Sequence, residues 1–144
     1  MSNELVINST QNGCRIALLN DRRLIEFHQE DGGIQFNVGD IYLGTVRKVV
    51  QGLNAGFIDI GYEKDAFLHY LDLGPQVQSL NKFTKLIQSK KEISTKLIGF
   101  RNETDIDKFG KIGQVLTKNQ NILVQVVKEP ISTKGPRLSC ELSI

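Results

Sequence analysis

Apolar and polar residues alternate along one short run after another, and this period of two constrains the fold more than any other feature of the chain. A β-strand sends successive side chains to opposite faces, so each such run reads as a strand with one apolar face. The runs Glu4 to Asn8, Cys14 to Leu19 and Arg23 to His28 come first, separated by links that hold Asn12-Gly13 and Asn20-Asp21. They make a meander of three antiparallel strands. Three strands with one apolar face and nothing obvious to cover it make a poor domain. Residues 1–37 are therefore expected to belong with a neighbouring domain or to pack on the strands C-terminal to them.

After the turn signal Asp31-Gly32-Gly33 a second set of strands begins at about Val38. Ile41 to Val50, Ala55 to Ile60 and Ala66 to His69 are three linked strands, and Ile122 to Val127 and Arg137 to Leu142 supply two more across a loop through Pro130, Gly135 and Pro136. Five strands is the count of an OB-type barrel. The fold class expected is all-β: a five-stranded OB-type antiparallel barrel over residues 38–144, preceded by the N-terminal antiparallel strand extension. Residues 70–121 form an insertion between barrel strands three and four, where a minimal barrel needs only a short helical connection. Phe83, Leu86 and Ile87 fall at helical spacing there. Asp107 to Leu116 is a weaker helical segment, interrupted by Gly110 and Gly113, and much of the insertion is expected to be loosely ordered.

Composition narrows the classes of function. At 144 residues, 40% apolar and 24% charged, the chain has the make-up of a soluble globular protein with one core. No apolar run is long enough to cross a bilayer, and Met1-Ser2-Asn3-Glu4 lacks the basic start and apolar stretch of a secretory signal. A cytoplasmic location without membrane contact is expected. Cys14 and Cys140 are far apart with no Cys-x-x-Cys or nearby His spacing, which argues against a zinc site or a disulfide framework. Both read as small buried apolar residues. The net charge of +2 is too small to imply a polyanion partner. Positive charge collects in residues 70–121, where Lys82, Lys85, Lys90, Lys91 and Lys96 crowd together in what reads as a solvated face.

The chemistry lies in the second and third barrel strands. Paired as a hairpin, they set Phe57 opposite Phe67, Ala55 opposite His69 and Asp59 opposite Asp65. A register two residues longer sets Phe57 against His69 and leaves the same side chains on the same face. Gly56, Ile58, Ile60, Ala66 and Leu68 then fill the barrel interior, while Phe57, Phe67 and His69 point outward as a platform on which unpaired bases can stack. Lys128, Lys134 and Arg137, with Arg47 or Lys48, come alongside as phosphate contacts. Two outward phenylalanines suit a protein partner or a second copy of the chain as well, so a self-associating barrel is the alternative reading. Asp59, Asp65, Asp105 and Asp107 have no third ligand in view, and neither a metal nor a catalytic site is expected.

Asp40-Ile41-Tyr42-Leu43-Gly44-Thr45-Val46, followed by Ala55-Gly56-Phe57-Ile58-Asp59-Ile60-Gly61 and Ala66-Phe67-Leu68-His69, resembles the ribosomal-protein-S-one type of OB-fold RNA-binding domain. A narrower combination adds Val124-Gln125-Val126-Val127-Lys128-Glu129-Pro130 and Thr133-Lys134-Gly135-Pro136-Arg137-Leu138. It resembles the N-terminal part of the bacterial ribonuclease E/G family, whose start Leu5-Val6-Ile7-Asn8 also fits. The likeness is strong at these motifs and poor across Leu71 to Thr117. It implies that the opening strands belong to a ribonuclease-H-like subdomain within which the barrel is inserted. It also implies that two phenylalanines and a loop lysine contact RNA, falling on Phe57, Phe67 and Lys134. The family's parent enzyme is a magnesium-dependent endoribonuclease of RNA processing and decay. Its magnesium-holding carboxylates, its sensor for a 5′-monophosphate end and its inter-subunit cysteine motif fall beyond the end of this chain. The chain is thus expected to bind single-stranded RNA without cofactor and without cutting it. Asn54 stands where many other domains of this OB type carry an aromatic, which makes the platform smaller.

Overall fold

The computed structural model describes residues 2–31, 36–90 and 96–144. Gly32 and Gly33 of the expected turn, and Lys91 of the lysine cluster, lie outside the described residues. The chain divides into two compact units, Met1–Gln35 and Phe36–Ile144.

The first unit is an antiparallel sheet of β1 (Asn3–Thr10), β2 (Gly13–Asn20) and β3 (Arg23–Asp31), with β2 in the middle. The link from β2 to β3 is two residues, Asp21 and Arg22, with φ of 47° and 68°. Two successive left-handed residues give the turn twist that matches right-twisted strands. Asp21 also fixes the chain start, its carboxylate accepting from the Ser2 amide at 2.9 Å. The expectation of a single apolar face does not hold. Leu5, Val6 and Ile7 are consecutive, so adjacent side chains point to opposite sides, and Val6 pairs across the sheet with Ala17 and Phe27 while Ile7 pairs with Ile16. Leu5 at 62% and Phe27 at 52% exposure show how open both faces are.

The second unit is a closed five-stranded barrel of β4 (Ile41–Val50), β5 (Ala55–Asp59), β6 (Ala66–His69), β7 (Asn121–Lys128) and β8 (Arg137–Ser139). The strand order is β4-β5-β6-β8-β7, returning to β4. One correction applies to the expected all-antiparallel barrel: β6 and β8 pair in parallel, with Phe67 opposite Arg137. A closed ring with an odd number of strands cannot alternate direction all the way round, so one neighbouring pair must run the same way. β8 is also shorter than expected and stops at Ser139.

Val46, Ile58, Ala66, Leu68, Ile122, Val124, Val126 and Leu138 fill the barrel and are fully buried. These are the alternate positions of their strands, as the period of two requires. Gly44 has to be glycine, since a Cβ there would stand 2.6 Å from the Ile58 methyl.

The insertion begins with a 3-10 turn over Tyr70–Asp72 and then α1 (Val77–Gln88), the helix foreseen from Phe83, Leu86 and Ile87. The second segment, Asp107 to Leu116, is not an α-helix and contains only a 3-10 turn over Ile112–Gln114. Gly110 lies beneath the Tyr70 ring, where a Cβ would come within 2.8 Å of Cζ, and so holds that segment against the barrel instead. Ile112 and Leu116 are buried and pack that end of the insertion into the core, whereas most of the described residues from 96 to 111 are exposed and lie outside helix and strand. Asn54 supplies a tie, its carboxamide accepting from the Ile112 amide at 2.7 Å and donating to the Gly110 carbonyl at 3.2 Å. Lys82 is a second departure from the expected solvated lysine face. It donates to the Arg101 carbonyl at 2.6 Å, pairs with Glu103 at 3.3 Å and lies 5.1 Å over the Phe100 ring.

Candidate nucleic-acid interface

The β5–β6 hairpin has the register in which Phe57 faces Phe67 and Ala55 faces His69. Ala55, Ile58, Ala66 and Leu68 are buried, and Phe57, Phe67 and His69 share the outward side, each partly exposed. The two phenyl rings stand 5.8 Å apart at 65° to one another. Edge-to-face packing of this kind is favourable in itself. It also means the pair forms a corner and not one flat surface, so a base lying flat on one ring meets the edge of the other.

A groove of about 600 Å³ opens over this corner. Phe57 and Phe67 form its floor, and the arm from Lys128 through Arg137 forms a wall. That arm is shaped by a small bridge in which the Ile131 and Lys134 amides each donate to the other's carbonyl at 3.1 Å. Lys64, on the β5–β6 loop, pins the arm by donating to the Thr133 carbonyl at 3.2 Å. Gly135 permits the contact, because a Cβ there would sit 2.8 Å from the Asp65 carbonyl carbon and 2.9 Å from the Lys64 carbonyl oxygen.

Of the six residues singled out from the sequence, the groove brings together Phe57, Phe67, Lys128, Lys134 and Arg137. Arg137 arrives with its guanidinium engaged, since Nε and Nη2 both donate to one Asp72 carboxylate oxygen, at 3.1 and 2.8 Å. His69 stands outside the groove lining. Its ring lies 6.3 Å from that of Phe67, and its Nδ1 accepts from the Leu71 amide at 3.0 Å, capping the Tyr70–Asp72 turn. Nδ1 must be unprotonated to accept, which places the proton of the neutral ring on Nε2. Lys48 is the cross-strand partner of Phe57 and flanks it from β4. Arg47 is occupied by Asp59 at 3.0 Å and Asp65 at 3.2 Å. The Gly61 amide, followed by Arg47, holds the Asp59 carboxyl below the usual carboxylate value, and Asp59 in turn raises the Arg47 guanidinium.

Lys64 and Ile131, which sequence reasoning did not name, also line the groove, as do Asp65, Glu129 and Thr133, which it named without giving them a role in binding. The available signal was Ile131, a lone apolar residue in an otherwise polar loop, and it is 52% exposed. Among the described residues no three His, Cys, Asp or Glu side chains gather as metal ligands would, and Asp59 and Asp65 are committed to Arg47. These residues do not fit a magnesium site. Cys140 is buried, with its thiol pushed up to about 12 by that burial, whereas Cys14 is only half-buried, contrary to expectation. No helix among the described residues is long and apolar enough to cross a membrane.

No family model matches the chain. It is 36% identical over 141 residues to ribonuclease G of Haemophilus influenzae, covering 98% of this chain and 25% of that protein. Against ribonuclease G of Escherichia coli K12 the identity is 31% over 144 residues, covering 100% of this chain and 26% of that protein. Ribonuclease E of Synechocystis is 36% identical over 108 residues, which are 74% of this chain and 12% of that protein. The chain thus spans about a quarter of the length of the ribonuclease G relatives it matches.

Proposed function

The chain belongs to the ribonuclease E/G family as the N-terminal part of such a protein, and from that premise we propose that its barrel is a cytoplasmic module that captures single-stranded RNA. The observation that carries this reading is one groove of about 600 Å³ in which two phenylalanines meet Lys128 and Lys134. Unpaired bases stack on Phe57 and Phe67, a contact open to any base because every base has a π-face. Lys134 and Lys128 take the neighbouring phosphates, while Arg137, held by Asp72, fixes the arm and lends its remaining charge. His69 buttresses Phe67 from outside the groove. In this account the strand is held here and cut elsewhere in the family protein, with magnesium bound by that other part. The β1–β3 sheet, apolar on both faces, completes a ribonuclease-H-like subdomain with that same part.

The test is fluorescence anisotropy of a labelled single-stranded RNA against the wild-type chain and the Phe57→Ala, Phe67→Ala double variant. Each lost stacking contact costs about 1–3 kcal/mol, so affinity should fall at least tenfold. Binding should also weaken with salt, at a log–log slope of about −0.7 for each phosphate neutralised on a single strand. Unchanged affinity in the double variant overturns the stacking account. Concentration-dependent dimerisation that protects Phe57 and competes with RNA would favour a self-associating barrel instead. Cleavage of RNA by this chain, dependent on magnesium and abolished by a chelator, would contradict the division between capture and cutting.

A further inference from the structure

We propose that Glu129 is the residue by which this groove tells RNA from DNA, its carboxylate accepting a hydrogen bond from a ribose 2′-hydroxyl; the proposal rests on the RNA reading above and deepens it. Six charged side chains line the groove: Lys64, Asp65, Lys128, Glu129, Lys134 and Arg137. Three are engaged within the protein. Asp65 is held by Arg47 at 3.2 Å, Arg137 by Asp72 at 2.8 Å, and Lys64 by the Thr133 carbonyl at 3.2 Å.

Lys128, Lys134 and Glu129 have no such partner among the described residues. The two lysines suit phosphate. A carboxylate beside them repels phosphate and weakens the very contact the lysines make, unless the ligand brings it a proton donor. A phosphodiester offers only acceptors, and a stacked base keeps its donors at its edge. The sugar offers one donor in RNA, the 2′-hydroxyl, and none at that position in DNA. An ionised carboxylate is an acceptor only, and its bond to a hydroxyl is charge-assisted.

Position supports the same pairing. Glu129 directly follows Lys128, lines the same groove as the two phenylalanines and belongs to the arm that carries Lys134. With a base on the phenylalanine floor and its phosphate on the lysines, the sugar that joins them lies in the groove that Glu129 lines. Asp65, the other groove carboxylate, is already engaged by Arg47, which it shares with Asp59, and sits on the opposite loop.

The experiment compares three labelled decamers of uracil nucleotides under the same salt: RNA, DNA and 2′-O-methyl RNA. The methylated strand keeps an RNA-like sugar and lacks the donor. The wild-type chain should bind RNA more tightly than either of the others. Glu129→Leu removes charge and acceptor together, and should lower RNA affinity relative to DNA by about fivefold to tenfold, the range of a modest charge-assisted hydrogen bond at an exposed site. Glu129→Gln removes the charge but keeps an acceptor oxygen, and should retain part of the RNA preference. If Glu129→Leu raises affinity for all three strands equally, the carboxylate is only repulsive and the proposal fails. An RNA-to-DNA ratio that Glu129→Leu leaves unchanged also overturns it. Failure of the underlying reading looks different: the Phe57→Ala, Phe67→Ala variant would then bind all three strands as the wild type does.

Discussion

Gly135→Ala is the sharpest test of how the groove is built. Gly135 lies against the backbone of the β5–β6 loop, and its φ is not in the left-handed region, so an alanine there meets a steric problem only. The added Cβ would be 2.8 Å from the Asp65 carbonyl carbon and 2.9 Å from the Lys64 carbonyl oxygen. Ordinary contact needs about 3.5 Å, so either the arm or the facing loop must retreat by more than half an ångström. Neither yields easily, since both obstacles are main chain and the arm is tied by the Ile131–Lys134 bridge and by Lys64. Overpacking of this kind costs about 1–3 kcal/mol, equivalent to a fall in thermal midpoint of several degrees in a chain of this size. Retreat of the arm also carries Lys134 away from Phe57 and Phe67, so RNA affinity should drop several-fold in protein that is still folded. Thermal denaturation followed by circular dichroism reads the first effect, and anisotropy at a temperature well below the midpoint reads the second. A variant with the midpoint within a degree of wild type and the same affinity would refute the claim that loop-to-loop contact sets the groove.

Asn54→Ala should destabilise the chain by about 1–3 kcal/mol, because it leaves the Ile112 amide without its acceptor, and Asn54→Gly should recover only the part due to the left-handed backbone at φ 50°; chemical denaturation of both variants measures the difference. Cys140, 4% exposed with a thiol pushed up to about 12, should resist a thiol reagent in the folded protein and react once denaturant is added, and fast native reaction in Cys14→Ser would contradict its burial. Asp59 is held below its ordinary value, so its stabilising contribution is complete above the unfolded carboxylate value of about 4 and is lost as pH falls through the lower folded value. The midpoint gap between wild type and Asp59→Asn should therefore close in acid; a gap that persists undiminished at pH 2 would mean the Arg47 and Gly61 contacts do not depend on the ionised form.

The outward face of the β5–β6 hairpin was legible because a slip by one residue would bury Phe57 and expose Ile58, but the pattern allowed both registers that keep this face, and the structure chooses the one with Phe57 opposite Phe67. Period-two patterning reports the face of a side chain and not the direction of its strand, so the parallel β6–β8 pair was invisible to it. α1 was readable from Phe83, Leu86 and Ile87, while the weaker segment at Asp107 to Leu116 is shaped by the packing of Gly110 under Tyr70, a tertiary contact with no local signature. His69 and Asn54 mark another boundary. Side-chain type and face placed His69 beside the phenylalanines correctly, but its bond to the Leu71 amide depends on the Tyr70–Asp72 turn. Asn54 read as a missing aromatic, and its work in tying the insertion to the barrel depends on residues more than fifty positions away. Lys64 escaped notice because one loop lysine is unremarkable until its hydrogen bond to Thr133 is seen.

The strand pair that sequence patterning could not reveal is also the one that makes the groove. Phe67 donates its amide to the Pro136 carbonyl at 2.8 Å and stands opposite Arg137. That single ladder step closes the barrel between β6 and β8, and it also brings the arm bearing Lys134 over the phenylalanine floor. Phe57 and Phe67 come from adjacent strands and would face outward in an open sheet too, but an open sheet has no wall beside them. Closure supplies the wall, and the odd strand number makes the closing pair parallel, so that β8 begins where β6 begins. The arm must then reach the seam from the end at which Lys64 and Asp65 lie, which is why the groove carries charges from two loops distant in sequence. Barrel closure and assembly of the groove therefore share one contact, and losing the β6–β8 seam would cost the site as well as the barrel.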